Sequence, residues 1–403
     1  MPIIQNDISI LFMQKYRGKR NQRNSMKIII GADLVPTSSN IDLFSQGRKQ
    51  ELLGNELADT LDQASFRIFN LEVPLADSDT PILKQGPNFR APTKCAKGLR
   101  AIGADLLTLA NNHILDQGEQ GLRSTIQALD DAGIGYVGAG MNLQKAEEPF
   151  FFEISGKRYG IYACAEHEFT IAGEDSPGAN PFDSLDTPDR IMEVKSGCDY
   201  LIVLYHGGKE HYRYPSPNLQ KSCRKLVEKG ADLVVCQHSH CIGCKEEYQN
   251  GTIVYGQGNF LFDHENNEYW NTGLLVSITE DGIIEYIPLS KNRRGVRLAD
   301  RNEAEIILSE FQKRSDDIQR EGFIQQQYQE FAAKSMGDYL LFLTGKRDNL
   351  VFKIANRLSG HLVQKYIVKR YGRRVRIGLR NYIECEAHRE LLIEGLKQQF
   401  NEP

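Results

Sequence analysis

Short apolar runs alternate with amphipathic segments between residues 26 and 280, and this alternation constrains the fold more than any other feature. Lys27–Gly31 (KIIIG) and Phe66–Leu71 (FRIFNL) have the length and composition of buried strands. Gly118–Ala132 spaces its large apolar residues at helical intervals. This repetition predicts a layered α/β fold. The same pattern predicts further strands at Asp105–Ala110, Gly135–Gly138, Tyr159–Ala163, Tyr200–Tyr205, Asp232–Cys236, Thr252–Tyr255 and Leu274–Ile278, and a second helix at Asn218–Lys229.

The character of the chain changes near residue 295. Residues 301–335 and 385–399 are rich in Glu, Gln, Lys and Leu and poor in glycine, which predicts helices. We therefore predict three parts: a poorly ordered N-terminal extension (1–25), an α/β domain (26–295) and a helical, basic C-terminal region (296–403).

The net charge of the chain also changes sign near this boundary. Residues 291–403 contain 22 Lys and Arg against 15 Asp and Glu, a net charge of +7, and residues 1–290 contain 27 against 38, a net charge of −11, which together give −4. Gly345–Arg380 holds eleven basic residues and a single acidic one, and Arg373-Arg374-Val375-Arg376 is its densest patch. A solvated helix face would explain this run, and so would contact with acidic polymer, lipid headgroups or nucleic acid. Nucleic acid fits least, because no recognised binding module is present.

The ends and cysteines of the chain bear on its compartment. No stretch reaches the roughly 18–20 apolar residues of a membrane helix, and Ile8–Met13 is too short for the apolar part of a signal peptide. Met26 is an alternative start. Eight scattered cysteines without an export signal predict reduced thiols. We expect a cytoplasmic protein whose basic C-terminal region contacts either the membrane surface or the capsule machinery.

Polar residues collect directly after the predicted strands, where open α/β sheets build their sites. A single such residue is usually a helix cap or turn residue, but here they recur after six strands. His238 and His240 are two residues apart, so in an extended segment both imidazoles would face one site. Carboxylate, amide and imidazole ligands together favour Mn, Fe or Zn. The residues concerned are Asp33, Glu72, Asn111, Asn112, His113, Asp116, His206, Glu210, His238, His240, Asn259 and Asp263.

Other kinds of site find less support. Cys241 and Cys244 form a Cys-x-x-Cys pair beside Cys236, but structural zinc needs a second pair at suitable spacing, and the sequence offers none. Phosphate-binding glycine loops and a Gly-x-Ser-x-Gly nucleophile are absent from the sequence. The predicted chemistry therefore rests on metal ions.

Six motifs in order resemble the CapA-type capsule proteins, a family named for poly-γ-glutamate capsule synthesis and similar to the calcineurin-like metallophosphoesterases. The resemblance spans about residues 26–280 and implies a four-layer α/β/β/α sandwich with two divalent metal ions between the sheet ends. The motifs are Gly31-Ala32-Asp33, Asn70-Leu71-Glu72-Val73-Pro74, Ala110-Asn111-Asn112-His113 with Asp116, His206-Gly207-Gly208-Lys209-Glu210, His238-Ser239-His240 and Gly258-Asn259-Phe260.

The resemblance also implies roles for individual residues. Glu72 takes the bridging place, and His113 is the proton donor, with Asp116 and Glu210 completing the catalytic set. Asp33-Leu34-Val35 departs from the Asp-x-His of phosphoesterases, so Glu210 or water would complete that metal's ligands. Cys236-Gln237 departs from the small residue usual before the paired histidines. The implied metal ligands are Asp33, Glu72, Asn112, His206, His238 and His240.

The function predicted from this resemblance is phosphoester hydrolysis in capsule or exopolymer synthesis, on poly-γ-glutamate or polysaccharide. A hydroxide held by two metal ions would attack the ester while His113 protonates the leaving oxygen. The substrate would be a phosphoester or an anionic polymer. Two alternatives remain open: a polymer-handling or assembly factor with little catalysis, and a metal-dependent amide hydrolase or transferase acting on a glutamyl polymer.

Overall fold

The computed structural model describes residues 27–263, 268–292, 294–345 and 349–400, so the extension predicted at 1–25 lies outside the described residues. The chain forms two compact units that divide after Ile324. The sequence-based boundary near residue 295 falls earlier, at the start of the last strand.

The first unit contains two large sheets. The seven-stranded sheet has the order β15-β14-β13-β1-β2-β3-β4, and the six-stranded sheet has the order β11-β12-β10-β9-β7-β6. The strands are β1 Lys27–Leu34, β2 Phe66–Leu71, β3 Leu106–Thr108, β4 Gly135–Val137, β5 Ala139–Gly140, β6 Phe150–Ile154, β7 Lys157–Ala165, β8 Gly178–Ala179, β9 Tyr200–His206, β10 Leu233–Gln237, β11 Lys245–Tyr248, β12 Gly251–Tyr255, β13 Thr272–Thr279, β14 Ile284–Asn292 and β15 Gly295–Leu298.

Strand direction is parallel in the middle of both sheets and antiparallel at their margins. Strands β1 to β4 pair in parallel, as do β7, β9, β10 and β12. Strands β13, β14 and β15 extend the first sheet in antiparallel fashion, while β6 and β11 close the edges of the second. The two remaining strands, β5 and β8, form a small sheet of their own. Parallel strands end at the same sheet edge, so their following loops lie side by side.

Helices of the first unit join these strands. Ser216 caps α7 by accepting a hydrogen bond from the Leu219 amide, and a proline follows it at the first helical position. The helices are α1 Ile41–Gln46, α2 Lys49–Asp62, α3 Ala96–Ala101, α4 Gly118–Ala132, α5 Leu143–Ala146, α6 Asp186–Ser196, α7 Pro217–Glu228 and α8 Arg301–Asp317, with short 3₁₀ turns at Thr93–Cys95 and Glu268–Asn271.

Alternation along the strands divides the apolar residues between two cores. In β9, Ile202 and Leu204 join the core shared with the first sheet, whereas Leu201 and Val203 join a second core built with α6 and α7. Helices α1 to α4 cover the other face of the first sheet with buried side chains such as Leu52. Helices, sheet, sheet and helices therefore form four layers, and the predicted α/β/β/α sandwich is confirmed.

Helix α8 belongs to the first unit although it lies beyond the sequence-based boundary. Its N-terminus carries a capping box, in which Asp300 and Glu303 each accept a hydrogen bond from the other's backbone amide. Near its end, the Arg314 guanidinium donates to the Gly243 carbonyl at 2.7 Å. These contacts tie the helix to the margin of the sheets.

The second unit is helical, as the sequence predicts for the C-terminal region. Helix α9 (Phe323–Phe342) leads into it, followed by α10 (Leu350–Leu358), α11 (Leu362–Arg370), α12 (Arg373–Glu384) and α13 (Glu386–Phe400). None of the helices in the described part of the chain is both long and apolar enough to cross a bilayer.

Candidate metal centre

Side chains from both large sheets meet at the carboxyl ends of their parallel strands. Asp33 lies near the end of β1, Glu72 directly follows β2, and His206 ends β9. His238 and His240 follow β10. All five side chains are buried. Because the two sheets pack face to face, their strand ends supply one site from two sides.

The five residues form two overlapping groups whose ligand atoms lie within 4.8 Å of one another. One group is Glu72, His206 and His238, and the other is Asp33, Glu72 and His240. His206 Nε2 lies 3.3 Å from Glu72 Oε1, and His240 Nδ1 lies 3.3 Å from Asp33 Oδ2. Glu72 is shared by both groups, as a ligand that bridges two ions must be.

Glu72 is a buried carboxylate without hydrogen-bond donors. Its side chain is fully buried, and neither oxygen has a hydrogen-bond partner among the described residues. Burial, with repulsion from Asp33, raises the pKa of Glu72 well above its usual value. Burying a carboxylate costs free energy unless a cation or a hydrogen-bond donor contacts it. The residues present therefore fit divalent cations.

The pKa values of the surrounding imidazoles shift in opposite directions. Burial lowers the pKa of His206 to about 4, and burial together with the neighbouring His206 and His240 lowers the pKa of His238 well below its usual value. Burial also disfavours charge on His240, but Glu72 and Asp33 outweigh it and raise the pKa of His240 to about 9. Neutral imidazole is the form that binds metal, so burial favours the metal-binding form of His206 and His238.

Amide side chains orient this cluster. Asn112 Oδ1 lies 3.0 Å from His206 Nε2, while Asn112 Nδ2 donates to Glu168 at 2.8 Å. Glu168 thereby turns the Asn112 oxygen toward the histidine. Deeper in the fold, Asn70 Nδ2 donates to Asp33 at 2.8 Å, and Asn111 Nδ2 donates to Asn70 Oδ1 at 3.0 Å. Asn70 and Asn111 thus hold the Asp33 carboxylate from behind, whereas the Asn112 oxygen lies at the cluster itself, facing His206.

The turn that carries the paired histidines is not extended. His238 and His240 have φ values of 91° and 52°, in the left-handed region that non-glycine residues seldom adopt. The sequence-based picture of two imidazoles facing one way from an extended segment is therefore wrong. The turn instead places one histidine in each group. His240 Nδ1 also lies 3.0 Å from Asn259 Oδ1.

His113 stands beside the cluster in a polar contact of its own. Its Nδ1 lies 2.6 Å from Asp116 Oδ2, and its ring stacks on Phe89 at a centroid distance of 4.2 Å. Lys84 completes the contact, with Nζ 3.1 Å from His113 Nδ1 and an ion pair to Asp116. Burial lowers the pKa of His113 although the Asp116 carboxylate opposes this shift.

Sequence comparison assigns this arrangement to a family. The family model described as "Bacterial capsule synthesis protein PGA_cap" matches residues 27–264, more than half of the chain. The protein belongs to this family. The matched segment carries all six predicted metal ligands and the His113 and Asp116 pair.

Two curated relatives agree with the family. The chain is 30% identical over 212 residues to "Capsule biosynthesis protein CapA" of Bacillus anthracis, covering 50% of this chain and 52% of that protein. It is 29% identical over 206 residues to "PGA biosynthesis protein CapA" of Bacillus subtilis, covering 49% and 50%. The chain thus spans about half the length of the curated relatives it matches.

Among solved structures, a phosphatase from Mycoplasma pneumoniae aligns with 67% of this chain and 95% of its own, at 15% identity and a TM-score of 0.41. A TM-score this low carries no functional argument.

The remaining predicted residues of the capsule-family site lie at its margin. Glu210 is exposed in the loop after β9 and belongs to neither ligand group. Its predicted roles, as a catalytic residue and as a substitute for the missing Asp-x-His histidine, remain predictions.

Cys241 and Cys244 are buried free thiols, and no cysteine joins a potential metal group among the described residues.

Two residues with contacts in the site carried no signal in the sequence. Lys84 and Glu168 lie in loops without periodicity, and nothing near them marks a site. Asn259 was among the polar residues that follow the predicted strands and belonged to a motif, but the sequence assigned it no role of its own. Only the fold brings these residues to the strand ends.

Proposed function

We propose that the protein is a metal-dependent phosphoester hydrolase acting in capsule or exopolymer synthesis. The observation that carries this proposal is Glu72, a buried carboxylate that accepts no hydrogen bond from the described residues and is shared by two potential ligand groups. Membership of the capsule synthesis family supports the biological setting. The names of the relatives point to poly-γ-glutamate or another anionic polymer as the material handled.

Two divalent ions would be held by six residues, and Mn, Fe or Zn suits this mixture of carboxylate, amide and imidazole. Bound there, the ions would lower the pKa of water and neutralise negative charge on a phosphoester. The ligands would be Asp33, Glu72, Asn112, His206, His238 and His240.

His113 supplies the proton in this proposal. Because its Nδ1 contacts Asp116 at 2.6 Å, Nε2 is the ring nitrogen left to face a substrate. Asp116 orients the ring and stabilises its charged form. A general acid of this kind contributes roughly 10²–10⁴-fold in rate.

The test combines metal analysis with turnover. We expect about two ions per chain in purified wild type, and hydrolysis of at least one ester in a panel of phosphomonoesters and phosphodiesters. His113→Ala should lower turnover by about 10²–10⁴-fold and keep the metal content. His388→Ala, an exposed histidine in α13, is the matched control and should change neither value.

Amide chemistry on a glutamyl polymer is the second candidate, and the "PGA biosynthesis" in the name of a relative favours it, with PGA taken as poly-γ-glutamate. Adding a γ-glutamyl peptide to the panel distinguishes the two activities. Metal-loaded protein that cleaves only the peptide would replace phosphoester hydrolysis with this function. Protein that binds two ions and cleaves nothing in the panel would favour a polymer-handling or assembly factor.

We further propose that the C-terminal unit contacts an anionic membrane surface. Leu350, Val351, Ile354 and Leu358 share one face of α10, and all four are exposed, Leu358 by 83%. Between Leu350 and Arg380 the chain has nine Lys and Arg and no Asp or Glu. Exposed apolar residues flanked by basic ones are typical of helices that lie in the bilayer interface.

Vesicle sedimentation tests this contact. Full-length protein should bind vesicles containing phosphatidylglycerol, bind neutral phosphatidylcholine vesicles weakly, and lose binding as salt screens the charges. Charge reversal at Arg373, Arg374 and Arg376 should abolish binding, whereas Arg123→Glu on α4 should not. Equal binding to both vesicle types, or binding of soluble poly-γ-glutamate alone, would reject the membrane proposal.

A further inference from the structure

We infer that Lys84 is a positioning residue that holds His113 in its working orientation, an inference that rests on the proposed function. Lys84 lies in the loop 77–90, which wraps around the turn that contains His113. The Ile82 amide donates to the Asp116 carbonyl at 3.1 Å, and the Thr80 amide donates to Gln117 Oε1 at 2.7 Å. The loop is thus anchored to that turn at two points before it reaches Lys84.

Lys84 is buried against the turn rather than extended into water. Its side chain is only 2% exposed. The ammonium forms an ion pair with Asp116 Oδ1, lies 3.1 Å from His113 Nδ1 and donates to the Asn112 carbonyl at 3.3 Å. A lysine is seldom buried this deeply unless it is paired, and its two acceptors, the Asp116 carboxylate and the Asn112 carbonyl, both lie within the 112–116 turn. His113 Nδ1 donates to Asp116, so it is a neighbour of the ammonium and not an acceptor.

The two carboxylate oxygens of Asp116 contact different partners. Oδ2 contacts His113 Nδ1 and accepts from the Phe89 amide, both at 2.6 Å, while Lys84 takes Oδ1. The carboxylate is therefore fixed at both ends, and Phe89 stacks against the ring that it holds. Without Lys84, Oδ1 would remain buried and unpaired. The carboxylate would then be held through Oδ2 alone and could turn about that oxygen, and the imidazole hydrogen-bonded to it would shift as well.

A displaced proton donor affects some substrates more than others. An alkyl leaving group needs the proton, whereas 4-nitrophenolate leaves without it. Displacement of a catalytic group by about 1 Å can cost 10²-fold in rate. Lys84→Met should therefore lower kcat on an alkyl phosphate by roughly 10–100-fold and on 4-nitrophenyl phosphate by less than about threefold. Metal content and KM should change little in both cases.

The control is Lys195→Met. Lys195 also forms an ion pair, in which its Nζ lies 2.6 Å from Asp232 Oδ2, but this pair is half-buried and lies at the opposite end of β10. Lys195→Met should change kcat on the alkyl phosphate and on 4-nitrophenyl phosphate by the same factor. Lys84→Arg keeps the charge and should restore part of the alkyl phosphate rate. If Lys84→Met does not fold, Lys84→Arg provides the test on its own. In that variant kcat should fall more on the alkyl phosphate than on 4-nitrophenyl phosphate. Equal deficits on both substrates, or none, would overturn the inference.

A second measurement is independent of activity. The Nδ1 proton of His113, hydrogen-bonded to Asp116, should give a downfield proton resonance in the zinc-loaded protein, identified by its loss in His113→Ala. Lys84→Met should remove or broaden this resonance, and Lys195→Met should keep it. An unchanged resonance in Lys84→Met would overturn the positioning role. Wild type that cleaves no ester would reject the proposed function, and this resonance would then decide the role of Lys84.

Discussion

The two units of the protein place polar and apolar residues in opposite ways. In the first unit, carboxylates and imidazoles such as Glu72 and His206 are buried at the ends of apolar strands. In the second unit, large apolar residues such as Leu350 and Leu358 are exposed beside basic residues. Both arrangements oppose the usual distribution of residues, and from them we propose bound metal ions in the first unit and membrane contact in the second.

The comparison also separates two kinds of partner. Buried ligands at fixed distances select small ions, because the surrounding fold sets their number and geometry. Exposed stripes on helices select extended surfaces, because apolar area and charge count there more than exact position. The first unit is therefore sensitive to single substitutions, whereas the second should respond mainly to several substitutions together.

Glu72→Gln should have the largest effect on the first unit. The amide keeps the shape of the side chain but removes the charge shared by both groups. We expect the metal content to fall from about two ions per chain to one or none, and turnover to fall by more than the ~10–100-fold typical of an outer-sphere residue. Elemental analysis after dialysis measures the first value. Glu153→Gln on β6 is the exposed control, and an unchanged metal content in Glu72→Gln would refute a bridging role.

His238→Asn and His240→Asn should each remove part of the metal content that Glu72→Gln removes. Asparagine tolerates the left-handed backbone at both positions, so the turn should persist while one imidazole is lost. Each single variant should retain about one ion per chain, and the double variant should retain none. His361→Asn, also left-handed but in the second unit, should keep both ions. Loss of both ions in each single variant would show that the two groups do not bind independently.

A matched pair of leucines tests the contrast in burial directly. Leu204→Ala removes a side chain that is 1% exposed and should lower the free energy of unfolding by about 2–5 kcal/mol. Leu358→Ala removes one that is 83% exposed and should change it by less than about 0.5 kcal/mol. Urea denaturation followed by circular dichroism gives both values. A large loss in Leu358→Ala would mean that its face is covered in solution.

The smallest effect concerns α8, where the chain leaves the sheets. Arg297, with the Asp300 amide, lowers the pKa of Glu303 to about 2. Because the folded pKa lies below the usual value, this contribution to stability is complete above about pH 4.5 and is lost as the pH falls toward 2. Glu303→Gln should cost about 0.5–2 kcal/mol at pH 7. The difference from wild type should shrink as the pH falls toward 2, and a difference that is the same at both pH values would contradict this prediction.

Much of the fold followed from the sequence because its central strands are continuous apolar runs. The run Phe66–Leu71 became β2 without a change of boundary, and Gly118–Ala132 became α4 in the same way. The marginal strands β14 and β15 did not stand out, since partly exposed strands mix polar and apolar residues. Five of the predicted ligands lie at or just after strand ends, as the sequence predicts, namely Asp33, Glu72, His206, His238 and His240, while their role as ligands stays a prediction.

The second layer of the site was beyond sequence reasoning for a physical reason. Lys84 reaches His113 through a loop, and Glu168 reaches Asn112 through another, so no periodicity connects them. The left-handed turn at His238 was missed because local patterns say nothing about strain in a non-glycine residue. Such strain persists only when the surrounding structure enforces it, and it concentrates at functional sites.

The origin of the ligands in two sheets has a consequence for the lifetime of the folded chain. Asp33 and Glu72 come from the first sheet, and His206, His238 and His240 from the second, so an ion bound between them would join the two halves of the sandwich. An ion that binds only the assembled sandwich stabilises it by about 2.7 kcal/mol at a concentration a hundred times its Kd. The supply of metal would then set how long this protein survives as well as what it can do.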